Sequence, residues 1–419
     1  MKFLFLLYDF YPNFGANSLI INNLSEAFVE KGHKVHLLPL NSYPEASEEE
    51  IFNQLHIHRI IHTFDKRQVF SFIRKGRLLS AGKLLTALIR EKYNKKEYQS
   101  LNWSYYSIKQ LTAILKQYEI DAVINVCYPF ESCLPILKYL EKNSRNFVWV
   151  IYMQDPFATN YYYLYRYPMR DLLEFQSKAF HTADKIIVAS PIMKELKTVN
   201  TAVAPDKFQV LNFPKIARAY RTVTEEDIGF DSHYINCVYV GRFNRDTRNP
   251  RFLFQLFKAL EKDAIRLHIL GENRENWSEY LSGASDSIFF YGNRSKEVSM
   301  NAELNSNILV NMGNSVSNQI PSKLLEYIST GKPIVNLYKV ENCPTLEIVE
   351  KYPICFNIHE NGADYEKTLR RLRYFCIKYR NVTIKYQFIK KIFYSSTVDY
   401  VSNEFLALLQ ALKEDRIKS

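Results

Sequence analysis

Residues 319–336 read QIPSKLLEYISTGKPIVN, an apolar helix set between a Pro-Ser-Lys entrance and a Gly-Lys-Pro exit that opens onto a strand. One carboxylate, Glu326, stands in the middle of that helix. A buried carboxylate is costly unless donors meet it, so Glu326 calls either for a ligand with hydroxyl or amine donors or for a basic partner such as Lys323 or Lys332.

The helix-then-strand unit repeats outward in both directions. Upstream, INCVYVGRF reads as a strand, PRFLFQLFKALEK as a helix, and IRLHILGEN, SIFFYGN and NILVNMG as strands; KPIVNLY and ICFNI follow the quoted helix. The chain opens in the same way. Phe3 to Leu7 reads as a strand, YDFYPNFGANS as a loop and Leu19 to Glu30 as a helix with Ile20, Leu24, Ala27 and Phe28 on one side. Asn17 or Ser18 is positioned to cap that helix and Gly32 to end it, before a strand at Val35 to Leu38. Strands recur at IDAVINVCYPF, NFVWVIYMQDPF, ADKIIVASP and KFQVLNFP, and the polar TVTEEDIGFDSHY reads as a linker. This β-α-β alternation predicts an α/β protein of two Rossmann-like, doubly wound parallel-sheet domains facing a cleft. Residues 1–213 form the first domain, 214–395 the second, and 396–419 a last amphipathic helix that packs back toward the first.

A chain of 419 residues agrees with two domains. No run of about 18 apolar residues spans a membrane, and MKFLFLLYDFYPNFG reads as a buried strand rather than a secretion signal. Six cysteines without a C-x-x-C pair point to reduced thiols and a cytoplasmic setting. The net charge of +11 is uneven. Between residues 65 and 96, ten Lys and Arg face only Asp65 and Glu91, interleaved with Leu and Ile at helical spacing. Such a stretch is either a solvated helix face or a peripheral contact with an anionic membrane at its inner side. No nucleic-acid-binding motif accompanies it, so nucleic acid is not an expected partner.

Ligands of open parallel sheets bind at loops leaving the carboxyl ends of strands. One such loop holds Gly241, Arg242, Arg245 and Arg248. A guanidinium beside a Gly that admits close backbone approach suits a diphosphate, whereas the bland alternative is an exposed basic loop. No Asp-x-Asp occurs anywhere, so no metal site is expected and fixed cations must take the charge of a departing diphosphate.

On these residues, the quoted stretch resembles the donor-binding segment of GT-B-fold glycosyltransferases related to the retaining glycosyltransferase family four. There, a carboxylate on the helix before the G-K-P strand bonds the ribose of a nucleotide sugar, and Glu326 matches it. YVGRFNRDTRNPRFL is similar to the family's phosphate-binding loop, with Gly241, Arg242 and Arg248. HILGEN, with Gly271, is similar to the strand walling the base, and IFFYGN, with Asn293, to the strand whose following residues touch it. YPNFGANS is similar to the amino-terminal loop whose backbone reaches the diphosphate, at Gly15 and Ala16. Ser322 and Lys323 fall at the phosphate end.

Two departures stand out. Asn318 occupies the place of a sugar-binding Glu, and Gln154-Asp155-Pro156 stands where many relatives carry His. Asp155 then orients the acceptor hydroxyl or the donor sugar, or shapes the turn before Pro156. The resemblance implies an enzyme moving a sugar from a nucleotide-diphosphate donor, its only small-molecule requirement, to a saccharide or lipid-linked acceptor, with retention. A sugar-nucleotide epimerase and a non-catalytic binding subunit are the rivals. Two further clusters are set aside: the metal-like HIHRIIH, with His56, His58 and His62, lacks a completing ligand, and the Tyr-rich stretch 161–167 is as well explained by packing.

Overall fold

The computed structural model describes residues 1–12, 14–39, 47–60, 107–127, 129–164, 167–199, 203–224, 226–281, 286–316, 320–321, 323–362 and 364–418. The cationic stretch 65–96, His62, Asn318 and Ser322 lie outside these residues. The chain forms two compact units, one of residues 1–212 with 402–419 and one of residues 213–401.

In the first unit, β1 (Lys2–Leu7), α1 (Ala16–Glu30), β2 (Lys34–Pro39), β3 (Glu49–Phe52), β4 (Leu55–His58), α2 (107–117), β5 (Ala122–Cys127), α3 (Leu134–Leu140) and β6 (Val148–Met153) follow in order. Then come α4 (Tyr161–Leu164), α5 (Met169–Thr182), β7 (Lys185–Val188), α6 (Ser190–Thr198) and β8 (Phe208–Val210). The sheet order is β3-β4-β2-β1-β5-β6-β7-β8, with only β3 antiparallel. β5 and β6 are buried along their whole length, because helices cover both faces of a parallel sheet. That burial is why VWVIYM reads as an unbroken apolar run and AVINVC as one interrupted only by Asn125, whose side chain bonds the Ser132 carbonyl and the Trp149 indole.

Helix α1 starts at Ala16, three residues before the expected start, with Gly15 as its N-cap and no side-chain cap. The two expected caps are engaged elsewhere: Asn17 Nδ2 donates to Asp155 Oδ2 at 3.2 Å, and the Ser18 hydroxyl to the Gly15 carbonyl at 3.0 Å. The Asp9 carboxylate lies beside this turn, where burial raises its pKa and the Gly15 backbone counters part of that. A Cβ on Gly15 would lie 2.5 Å from Asp9 Oδ2, so a larger residue there would have to displace the Asp9 carboxylate.

The second unit contains β9 (Ile235–Val240), α7 (Arg251–Ala259), β10 (Ile265–Leu270), β11 (Ile288–Phe290), α8 (Lys296–Asn305), β12 (Ile308–Met312), α9 (Lys323–Thr330) and β13 (Ile334–Tyr338). It continues with α10 (Pro344–Val349), β14 (Cys355–His359), α11 (Tyr365–Tyr379) and α12 (Tyr386–Ile392). All six strands are parallel, in the order β11-β10-β9-β12-β13-β14. One face is covered by Leu253, Phe254 and Phe257 of α7 with Leu372 and Phe375 of α11. The other is covered by Val298 of α8, Leu324 and Ile328 of α9 and Ile389 of α12. Asn311, Asn336 and Asn357 are directly opposed across β12, β13 and β14, and their amides bond in series at 2.7 and 2.9 Å. The series satisfies polar groups that burial would otherwise penalise. The last helix, α13 (Val398–Lys418), joins the first unit from residue 402, where Lys413 pairs with Asp121 at 2.6 Å and Arg416 with Asp184 at 3.3 Å.

The histidines of β4 serve packing. His58 Nε2 lies 2.9 Å from His36 Nδ1 with both rings buried, and burial together with the neighbouring imidazoles lowers His36 to about 3. No group of three His, Cys, Asp or Glu suited to a metal occurs among the described residues. Tyr163 is buried, with its hydroxyl donating to Glu131 Oε2 at 2.8 Å. All six cysteines are free, and no described helix is long and apolar enough to cross a membrane.

Candidate active site

In the second unit the chain winds outward from β9 in one direction and from β12 in the other. The loops leaving these two strands therefore part and leave a crevice at their carboxyl ends. A cavity of about 160 Å³ lies there, lined by Tyr239, Val240 and Gly241 at the end of β9, by Val310, Asn311 and Met312 at the end of β12, and by Arg242, Arg248, Pro321, Lys323 and Tyr327. The sequence-predicted residues Gly241, Arg242, Arg248 and Lys323 thus meet around one space.

The loop that carries the arginines is held at several points. Phe243 N–H donates to Glu272 Oε1 at 2.7 Å, and Tyr239 Oη donates to the Arg242 carbonyl at 3.1 Å. Asn244 and Arg248 exchange backbone bonds at 3.1 and 2.9 Å, and the Asn244 side chain accepts from the amides of Asp246 and Thr247 at 2.9 Å. The Val240 amide donates to Tyr327 Oη at 2.7 Å, fastening β9 to α9. Gly271, at the end of β10, has φ +102°, and a Cβ there would stand 2.8 Å from the Gly241 carbonyl oxygen. Gly271→Ala is expected to destabilise by about 2 kcal/mol through backbone strain and displacement of the Gly241 loop, read as a lower midpoint in calorimetric melting.

Charge is distributed unequally in the loop. Arg245 pairs with Glu279 at 2.5 Å and lies over the Trp277 ring at 5.3 Å. Neither Arg242 nor Arg248 has a carboxylate within ion-pair distance among the described residues, and the buried Arg248 Nε has no hydrogen-bond partner there. Two uncompensated guanidinium groups beside a cavity suit a ligand with two anionic groups.

Glu326 sits at the centre of a buried ionic network. Lys215 Nζ lies 2.9 Å from Oε1 and Lys323 Nζ 2.8 Å from Oε2, and Lys323 also reaches Glu303 Oε1 at 3.0 Å. Of the two partners that the sequence offers Glu326, Lys323 is present, and Lys215 supplies the other contact. Burial alone would raise the Glu326 pKa, but Lys215 and Lys323 outweigh it and bring it to about 2. Glu303, wholly buried, is raised by burial, with Lys323 only partly compensating. Because the folded pKa of Glu326 is depressed from 4.5, its stabilisation is complete above the unfolded value and lost as pH falls toward 2. Wild type should lose stability over that window more steeply than Glu326→Gln, as followed by melting temperature against pH.

In the first unit, Asn17 brings Asp155, at the end of β6, to the start of α1, where Gly15 and Ala16 stand. Burial raises the Asp155 carboxyl, and the Asn17 bond counters only part of that. Asn293 is exposed on the loop after β11 and does not line the cavity. Lys215, Glu303, Glu272, Tyr239 and Tyr327 hold the site together without having been singled out in the sequence; the only local sign was a lysine directly after Pro214 at the end of KFQVLNFP.

The family described as Glycosyltransferase Family 4 matches residues 19–212, and the one described as Glycosyl transferases group 1 matches residues 235–352, which include the arginine loop and Glu326. The chain is a glycosyltransferase, matched in its first part by the one family and in its second by the other. No match was found among curated protein sequences. Solved structures share the fold of this glycosyltransferase over nearly its whole length. Sucrose-phosphate synthase from Thermosynechococcus elongatus has a TM-score of 0.67 at 14% identity and covers 98% of this chain and 99% of its own. TarM has 0.64 at 9%, covering 97% and 98%, and WaaG, a glycosyltransferase of lipopolysaccharide biosynthesis, has 0.58 at 12%, covering 97% and 99%. The likeness establishes the GT-B fold for this glycosyltransferase.

Proposed function

We propose that this glycosyltransferase transfers a sugar from a nucleotide-diphosphate donor to an acceptor hydroxyl, with retention of anomeric configuration and without a divalent ion. The observation that carries the reading is the pair of uncompensated guanidinium groups, Arg242 and Arg248, at the reversal of the six-stranded sheet. In the proposal they neutralise the diphosphate as the glycosyl bond breaks. Glu326, kept ionised by its two lysines, accepts from the vicinal hydroxyls of the ribose. Gly241 lets the backbone approach the phosphates, and Lys323 adds charge at their far end. Gly15 and Ala16 offer main-chain amides, and Asp155 orients the acceptor hydroxyl. Asn318 and Ser322 are assigned the donor sugar and phosphate, and Gly271 and Asn293 the base. The acceptor is proposed to be a lipid-linked saccharide in surface polysaccharide or glycolipid assembly, on a cytoplasmic membrane face. Support for the cytoplasmic setting is the set of six free thiols.

The test is a screen of nucleotide sugars for protection against thermal unfolding, followed by analysis of the product anomer with the protecting donor. A ligand at a hundred times its dissociation constant should add about 2.7 kcal/mol. Protection by no nucleotide sugar or nucleoside diphosphate removes the donor assignment, and an inverted product removes retention.

A further inference from the structure

Among the described residues, positive charge is densest between 365 and 396, where nine Lys and Arg stand against Glu366 alone. Helix α11 fixes how part of this charge is presented. Its inner face, with Leu372, Phe375 and Cys376, is buried in the core of the second unit, so the helix cannot rotate. Arg370, Arg371, Tyr374, Ile377 and Lys378, at three- and four-residue spacing, share the opposite, exposed face.

Arg373 alone among the bases of α11 has a carboxylate partner among the described residues, Asp263 at 2.7 Å. The outward cations are therefore not part of a network of surface ion pairs. Two large side chains stand among them, Tyr374 at 64% exposure and Ile377 at 51%. The Lys378 ammonium lies 5.5 Å from the Tyr374 ring centre. A nucleic-acid phosphate backbone satisfies the cations but offers nothing apolar to Ile377, and an acidic peptide would need an apolar side chain set among its carboxylates at this one spacing. The headgroup layer of an anionic membrane takes both, since phosphates meet the bases while the tyrosine ring and the isoleucine enter the acyl boundary.

We infer that the outer face of α11 is a docking surface for an anionic lipid membrane, with Arg370, Arg371 and Lys378 meeting the lipid phosphates and Tyr374 and Ile377 inserting between headgroups. This inference does not rest on the donor assignment. It does not involve residues 65–96, whose sequence is also rich in bases and apolar residues.

The test uses the full chain in co-sedimentation with vesicles of phosphatidylcholine alone or mixed with phosphatidylglycerol, at low and high salt. Wild type should bind the mixed vesicles, and high salt should weaken that binding. Neutralising three charges in R370Q/R371Q/K378Q should lower partitioning about tenfold or more, and Y374S/I377S should lower it several-fold. Both variants should keep the wild-type melting temperature and nucleotide protection, because these side chains are exposed and away from the cavity. The inference is overturned if wild type does not bind mixed vesicles, or if neutral vesicles bind equally well. It is also overturned if the charge variant binds as wild type does, which would move the contact elsewhere, for example to residues 65–96. Equal binding of a single-stranded oligonucleotide, indifferent to Y374S/I377S, would make the face a general polyanion site and overturn the lipid assignment.

Discussion

Arg242→Ala is expected to lower kcat/KM by about a hundred- to a thousandfold while leaving the melting temperature nearly unchanged. The magnitude is that of removing one preorganised donor from a site where negative charge develops. The small stability effect follows from its surroundings: the guanidinium is exposed and has no carboxylate partner among the described residues, so its removal strands no buried group. Arg242→Lys should recover only part of the activity, because an ammonium keeps the charge but loses the two-pronged geometry that fits a phosphate. Steady-state kinetics with the donor found by thermal screening provide the measurement. A loss below about tenfold would mean that the leaving group is stabilised elsewhere.

Lys215→Met should have the opposite profile, a large loss of stability with nucleotide binding lost in consequence. Lys215 is buried and holds Glu326 Oε1 at 2.9 Å, and Glu303 already shares Lys323 with Glu326. Without Lys215, two buried carboxylates compete for one ammonium. Breaking a buried ion pair on one side costs about 3–5 kcal/mol, chiefly through the charge left behind. The double substitution K215M/E326Q removes that stranded charge and should regain much of the stability, though not nucleotide binding. Denaturant titration of the four members of this cycle gives the coupling energy. Equal stability of Lys215→Met and wild type would show that the network is not what keeps Glu326 ionised.

The alternation of strand and helix was legible because parallel strands covered on both faces are apolar almost throughout, as AVINVC and INCVYV show with one buried Asn each. The arginine loop was legible for a related reason: a Gly followed by guanidinium groups at the end of such a strand is unusual chemistry at a known place in the fold. Lys215 was not legible, since its partner lies 111 residues away and nothing local separates it from any other lysine. The start of α1 was not legible because Gly15 stands at the N-cap without a side-chain cap, while Asn17 and Ser18 lie inside the helix and bond to Asp155 and the Gly15 carbonyl. Helices α11 and α12 bury only narrow stripes among many bases, so they do not stand out by periodicity, and their charge is less conspicuous in the sequence than that of residues 65–96.

The account rests on fixed guanidinium charge receiving the diphosphate, and calorimetric titration of nucleoside diphosphates tests it most directly. Binding should be unchanged by a chelator and should weaken at least about tenfold in R242A/R248A. Binding that disappears with chelator, returns with manganese and is indifferent to the two arginines would contradict it.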